Sequence, residues 1–231
     1  MRRISFALLM VVAIANVASA QRRQIGFTSD PDTWATASVG GFRANGVNDG
    51  ATGSTWDFGN SLNFEYRASL EKGWNSGSSF GVAGSYARVP FVYTSDLAVP
   101  LPTGVSGARC APPGCNAHLD MMTLLATFHA GSGIGFHQVL ELNGGAVFYE
   151  NMNRDSDGAK LAGNGNIDPL LAANYGFGWG FNDRTNLDLT WVYAVGIHER
   201  QNQSNGVSNT NVMSGLRVSL RMGFGARTVR R

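Results

Sequence analysis

Three features of the sequence predict an all-β protein, an eight-stranded antiparallel up-and-down transmembrane β-barrel. Apolar and polar residues alternate with period two over runs of 11 to 16 residues. The apolar faces carry aromatic residues near their ends. The connections between the runs alternate between short and long. Successive strand side chains point to opposite faces, so such runs place a continuous apolar face against a polar or small one.

The chain opens with an address. Residues 1–20 read MRRISFALLMVVAIANVASA, with a basic pair at Arg2 and Arg3, an apolar stretch over 4–17 and Ala18-Ser19-Ala20 before Gln21. This is the layout of a cleaved export signal, too short for a spanning helix, which needs about 20 apolar residues. Residues 21–32 then read as a periplasmic extension, 33–225 as the barrel and 226–231 as a tail.

Four runs carry the pattern most clearly. In 185–198, Leu187, Leu189, Trp191, Tyr193, Val195 and Ile197 share one face, against Asn186, Asp188, Thr190 and small residues. In 212–224, Val212, Leu216, Val218, Leu220, Met222 and Phe224 oppose Arg217, Ser219 and Arg221. In 56–70, the apolar set is Trp56, Phe58, Leu62, Phe64, Tyr66, Ala68 and Leu70, against Asp57, Glu65, Arg67 and Ser69. In 167–181, Ile167, Leu171, Tyr175, Phe177, Trp179 and Phe181 oppose Asp168, Asn174, Gly176 and Gly178. Weaker alternation marks 33–43, 78–93, 117–130 and 136–149. In 33–43 it leaves the outward parity open, and in 78–93 its phase shifts near Pro90, which predicts a bulge there.

A soluble sandwich also alternates. Its strands run about five or six residues, and it has no reason to sort its loops. Here 71–77, 131–135 and 182–184 are short, whereas 44–54, 95–116, 150–165 and 199–210 are long and polar. Short periplasmic turns, long external loops and aromatic girdles belong to outer-membrane barrels. Thirteen residues at about 3.3 Å each, tilted about 45°, rise roughly 30 Å and cover an apolar band of about 25 Å. Both termini then fall in the periplasm.

Composition narrows the function. Only 15% of residues are charged and 30 of 231 are glycine, which excludes a disordered chain. Without Arg2 and Arg3, 16 basic residues face 16 acidic ones. A nucleic-acid binder needs a basic surplus, so no nucleic-acid partner is expected. Cys110 and Cys115 bracket Ala-Pro-Pro-Gly. A disulfide suits an exported protein, and the rival reading as a metal pair has only His118 nearby and no fourth ligand.

The alternating strands, the loop asymmetry and the closing segment GLRVSLRMGF over 215–224 resemble the small eight-stranded outer-membrane β-barrel family of the OmpA/OmpX type. The resemblance covers about residues 33–225 and implies a fold rather than an activity. It implies contact with outer-membrane lipid and lipopolysaccharide, and with the barrel assembly machinery during biogenesis. Two departures stand out. Seven residues follow Phe224, where such barrels commonly end on an aromatic, and no peptidoglycan-binding domain follows the barrel.

An eight-stranded barrel is barely wide enough for its own side chains. The inward faces place Asp57, Glu65, Arg67, Glu141, Asp188, Arg217 and Arg221 in the lumen, where charges must pair or meet water. If His198 pairs with Asn211, Asp188 falls opposite Arg221. A structural plug is expected, with a narrow gated path as the alternative. Small inward residues (Gly81, Ala83, Ser85, Ala87, Gly176, Gly178) leave room for water. At one rim lie His198, Glu199 and Ser204, as do His118 and Asp120, but without the tight nucleophile–base spacing of a hydrolase. His129 and His137 flank a short turn and are expected at the periplasmic interface. Asp155, Asp157 and Gly158 lack the distal glutamate of a calcium loop. No enzyme activity, metal or cofactor is expected, and the loops are the remaining place for an extracellular ligand.

Overall fold

The computed structural model describes residues 30–59, 61–75, 77–199 and 209–226. The expected leader, most of the expected N-terminal extension, Ser204 and the residues from 227 on lie outside the described residues. The strands are β1 (Thr33–Ala44), β2 (Val47–Asp49), β3 (Ser54–Asp57), β4 (Asn63–Asn75), β5 (Ser78–Ser95), β6 (Cys115–Ala130), β7 (Gly135–Arg154), β8 (Asn166–Asn182), β9 (Thr185–Ile197) and β10 (Thr210–Phe224). Eight of them form a closed antiparallel ring. Neighbours in sequence pair from β4 round to β10, and β1 closes the ring by pairing with both β4 and β10. The short β2–β3 hairpin stands on one end and extends the wall along β5, with Trp56 opposite Tyr93.

The two faces are inverted relative to a soluble protein. Leu216, Val218, Leu220 and Met222 of β10 are exposed outside, as are Leu187, Leu189 and Trp191 of β9. Arg217, Ser219, Arg221, Asn186, Asp188 and Thr190 from the same strands are buried inside. Near the short turns the outer surface is aromatic. Trp74 meets Phe80 and Phe128 edge-on at 6.2 and 6.4 Å, and Phe136 stacks on Phe177 at 5.2 Å. This is one girdle of a lipid-facing belt. Here β1 settles its parity, with Trp34 and Phe42 inside and Val39 outside.

Four expectations need correction. First, 56–70 is two pieces. Gly59 adopts a positive φ of 58° and donates its N–H to Asp57 Oδ1 at 2.8 Å, turning the chain between β3 and β4. The parity reverses across that turn: Trp56 and Phe58 are buried inside and Asp57 faces outward. Second, β5 has no bulge at Pro90. It pairs with β6 without interruption from Ser78 to Tyr93. The apparent phase shift arises because Val89, Phe91 and Tyr93 are apolar yet point inward. Pro90 lies between Ala87, opposite Glu65 of β4, and Val92, opposite Asp57 of β3, where β5 has no ladder neighbour on that side. A missing N–H is tolerated there. Third, the last hairpin is shifted by two residues: Gly196, not His198, lies opposite Asn211. Asp188 therefore faces Ser219, and Arg221 faces Asn186. Fourth, His129 and His137 flank the turn as expected but point inward.

The interior divides into two halves. Toward the long loops it is an apolar core that includes Phe42, Val47, Trp56, Phe91, Tyr93, Leu119, Tyr149, Met152 and Leu161. Toward the short turns it is polar and charged. The loops are tied into the apolar half. Cys110 and Cys115 form a disulfide, Ala108 bridges Leu161, and Tyr93 donates its hydroxyl proton to Ala162 O at 3.0 Å.

Candidate functional site: the lumen and its two ends

Of the seven residues expected in the lumen, six face it: Glu65, Arg67, Glu141, Asp188, Arg217 and Arg221. Asp57 faces outward, because the parity reverses across the turn at Gly59. Arg67 from β4 reaches Glu141 Oε1 of β7 at 2.9 Å and donates to Asn143 Oδ1 at 2.9 Å. Asn143 and Asn174 donate to the same glutamate oxygen at 3.0 and 2.7 Å. Arg217 donates to Glu65 at 3.2 Å and lies 3.6 Å from Glu141. Arg221 pairs with Glu71 at 2.9 Å, lies 4.0 Å above the Trp34 ring and hydrogen-bonds Ser79. Ser69 and Ser79 each donate to Glu71, at 2.7 and 2.6 Å.

Pairing buried charges and filling their remaining hydrogen bonds is what offsets their loss of water. The network therefore braces strands that are not ladder neighbours, β4 to β10 across β1 and β4 to β7 across the lumen. Glu71 escapes the alternating pattern because the stretch 71–77 reads as a short turn. The signal was present: it continues the inward parity of Glu65, Arg67 and Ser69.

Above this network lies a cavity with about 40 Å³ open to the centres of water molecules. That is above the roughly 10–15 Å³ a cavity needs to admit a water molecule. Arg67, Arg217, Glu65 and Thr123 form its polar side, and Phe42, Met121, Leu170 and Met213 its apolar side.

The loop end is shut by a buried ion cluster. The fully buried His198, just past β9, places Nδ1 2.8 Å from Asp168 Oδ2 and Nε2 3.9 Å from Asp49 Oδ1. Its ring packs edge-on against Trp56 at 5.2 Å, and Trp56 packs on Tyr149 at 5.4 Å. Trp56 Nε1 donates to Ser54 at 3.0 Å. Asp49 Oδ1 also accepts from Ala51 N at 2.9 Å, and Asp49 Oδ2 from Thr52 Oγ1 at 2.6 Å. One imidazole thus joins the first loop hairpin to β8 and β9. Burial alone would lower its pKa, but Asp168 and Asp49 outweigh burial and push it up to about 9. Burial alone would raise Asp49, but its contacts with His198 and Thr52 bring it below the usual range.

The other rim candidates do not assemble. His118 pairs with Asp155 at 2.6 Å, Asp120 accepts from Tyr86 at 2.9 Å, and Glu199 is exposed. Arg154 forks onto Asp157 at 2.6 Å, holding that carboxyl at about 2. Among the described residues no three His, Cys, Asp or Glu side chains gather around a common metal position.

No family model matches the chain, and no curated protein matches it. Solved structures do. Neisserial surface protein A is 14% identical, with 85% of this chain and 100% of that one covered and a TM-score of 0.48. The OprG outer-membrane protein of Pseudomonas aeruginosa is 11% identical, with 84% and 97% covered and a TM-score of 0.49. The N-terminal β-barrel domain of Pseudomonas aeruginosa OprF is 14% identical, with 84% and 99% covered and a TM-score of 0.42. The likeness is one of fold. The closed register and the inverted faces make this chain an eight-stranded antiparallel β-barrel of the outer-membrane type.

Proposed function

We propose that the chain is a non-enzymatic integral outer-membrane protein with a structural or surface-interaction role: a rigid barrel that displays a braced cluster of loops. In this reading the leader is removed on export, both termini are periplasmic and the long loops face outward. The belt contacts lipid and lipopolysaccharide, the assembly machinery inserts it, and an extracellular ligand would meet the loops. The observation that carries the reading is the filled interior. Side-chain braces occupy the turn half, an apolar core occupies the loop half, and the space between is a cavity of about 40 Å³.

The test is conductance of the folded chain in planar bilayers, together with protease access to the loops on intact cells. Silent bilayers and loops cleaved from outside are expected. Steady unitary currents that Arg217→Ala alters would replace the reading with a narrow gated channel. Mass spectrometry of lipid A from cells with and without the protein tests a rim hydrolase, and unchanged lipid is expected.

A further inference from the structure

Three arginines and four carboxylates face one another in the polar half of the lumen. Arg67, Arg217 and Arg221 pair with Glu141, Glu65 and Glu71. Asp188 is left without an arginine. Its side chain is 3% exposed, and its Oδ1 has no hydrogen-bond partner. A buried carboxylate without a counter-charge is costly.

The group facing it is His137, whose side chain is 12% exposed and whose Nε2 lies 3.8 Å from Asp188 Oδ1, also without a partner. That separation is too long for a hydrogen bond. The other ring nitrogen, Nδ1, is 3.1 Å from the Gly135 carbonyl, which only accepts. The proton of the neutral ring therefore sits on Nδ1 and the lone pair on Nε2. Asp188 Oδ1 and His137 Nε2 thus border one narrow gap beside Gly178, each without a hydrogen-bond partner. Gly178 on β8 keeps the gap open, because a Cβ there would overlap both Asp188 Oδ1 and His137 Nε2. Asn186, two residues before Asp188 on the same face, also leaves its amide oxygen and nitrogen unpartnered.

We propose that this gap is a site for a divalent first-row transition-metal cation, held by His137 Nε2 and Asp188 Oδ1 and completed by water. Imidazole and carboxylate are ligands such cations take. Zinc lies about 2.0–2.2 Å from each, and at a tetrahedral angle this needs the two atoms about 3.4 Å apart. The gap at 3.8 Å therefore closes by about 0.4 Å on loading. The hydrogen bond from Nδ1 to a backbone carbonyl is the outer contact that orients metal-binding histidines. The cation also supplies a direct counter-charge to Asp188, which no arginine contacts. With two protein ligands the site is weaker than a structural zinc centre.

The experiment uses the folded, untagged full chain in non-ionic detergent at pH 7.5, titrated with Zn²⁺ by calorimetry and with Co²⁺ by visible absorption. One ion per barrel is expected, with affinity falling about tenfold or more in His137→Ala, Asp188→Asn and Gly178→Ala, and unchanged in His118→Ala. Unheated gel mobility confirms that each variant is folded. The proposal is overturned if the wild type binds neither ion. It is equally overturned if His118→Ala abolishes binding while the lumen variants keep it, or if His137 Nε2 carries a proton by NMR in saturating Zn²⁺.

Discussion

The ion cluster at the loop end makes the closed cap sensitive to alkali in a way that can be worked out beforehand. His198 titrates at about 9 in the closed cap, against an ordinary value of 6.5. A group whose pKa is raised in the closed state contributes its full stabilisation below the open-state value. That contribution is lost as pH rises through the closed-state value. The window is therefore 6.5 to about 9, and at about 1.4 kcal/mol per pH unit the closed cap loses about 3 kcal/mol across it. Local opening then rises about 300-fold. Hydrogen exchange, corrected for intrinsic rates, reads this at amides whose bonds join the loops. Suitable reporters are Ala108 N, bonded to Lys160 O, and Ala162 N, bonded to Ala108 O. In His198→Ala the slope should vanish. Cap protection should already be low at pH 6, because Asp168 and Asp49 stay buried without their cation, at a cost of about 3–5 kcal/mol. Protection that stays level or increases from pH 6 to 9.5 in the wild type would show that the His198 charge does not hold the cap closed, as would an unaltered slope in the variant.

Further outcomes follow from the braces and the close approaches. Glu71→Leu or Arg221→Leu alone should destabilise the barrel by about 3–5 kcal/mol, and the double variant by less than their sum. Equilibrium unfolding in urea with lipid vesicles checks this, and strict additivity would count against a direct pair. Gly176→Ala places a Cβ against the Leu189 carbonyl oxygen and should reduce the yield of folded barrel on unheated gels. A wild-type yield would mean the wall yields at that seam. Cys110→Ser should speed proteolysis within 96–114 while leaving the heat-dependent gel shift intact, and equal cleavage rates would show that the loop is held without the clip.

The outer surface was legible in the sequence because lipid imposes one rule on every outward position. In β8, β9 and β10 that rule runs unbroken from Ile167 to Phe181, Leu187 to Ile197 and Leu216 to Phe224. The inner surface obeys no single rule. Where the lumen is polar, as at Arg217 and Arg221, inward residues contrast with outward ones and were found. Where it is apolar, as at Val89, Phe91 and Tyr93, the contrast disappears, so a bulge was expected in a straight strand. Trp56 failed for the same reason: it is apolar because it lies in the capping core, not because it faces lipid. Register was beyond reach where the connection is long. A two-residue turn fixes pairing, but the stretch from 198 to 209 between β9 and β10 allows several registers of the same parity, and the expected one was two residues off.

The division of the lumen into braces and oil bears on whether any solute passes. A path from the loop end must displace Trp56, Tyr93, Tyr149, Met152 and Leu161, all fully buried. At about 1.5–3 kcal/mol each, exposing these five side chains costs about 8–15 kcal/mol, before the His198 contacts are broken. Each 1.4 kcal/mol is a factor of ten, so thermal opening is suppressed by about six to eleven orders of magnitude. A solute-filled open state must recover that energy from a ligand seated on the loops. A gate in this barrel would thus depend on surface recognition first and conduct second, and the loop cluster comes before the lumen in any search for a partner.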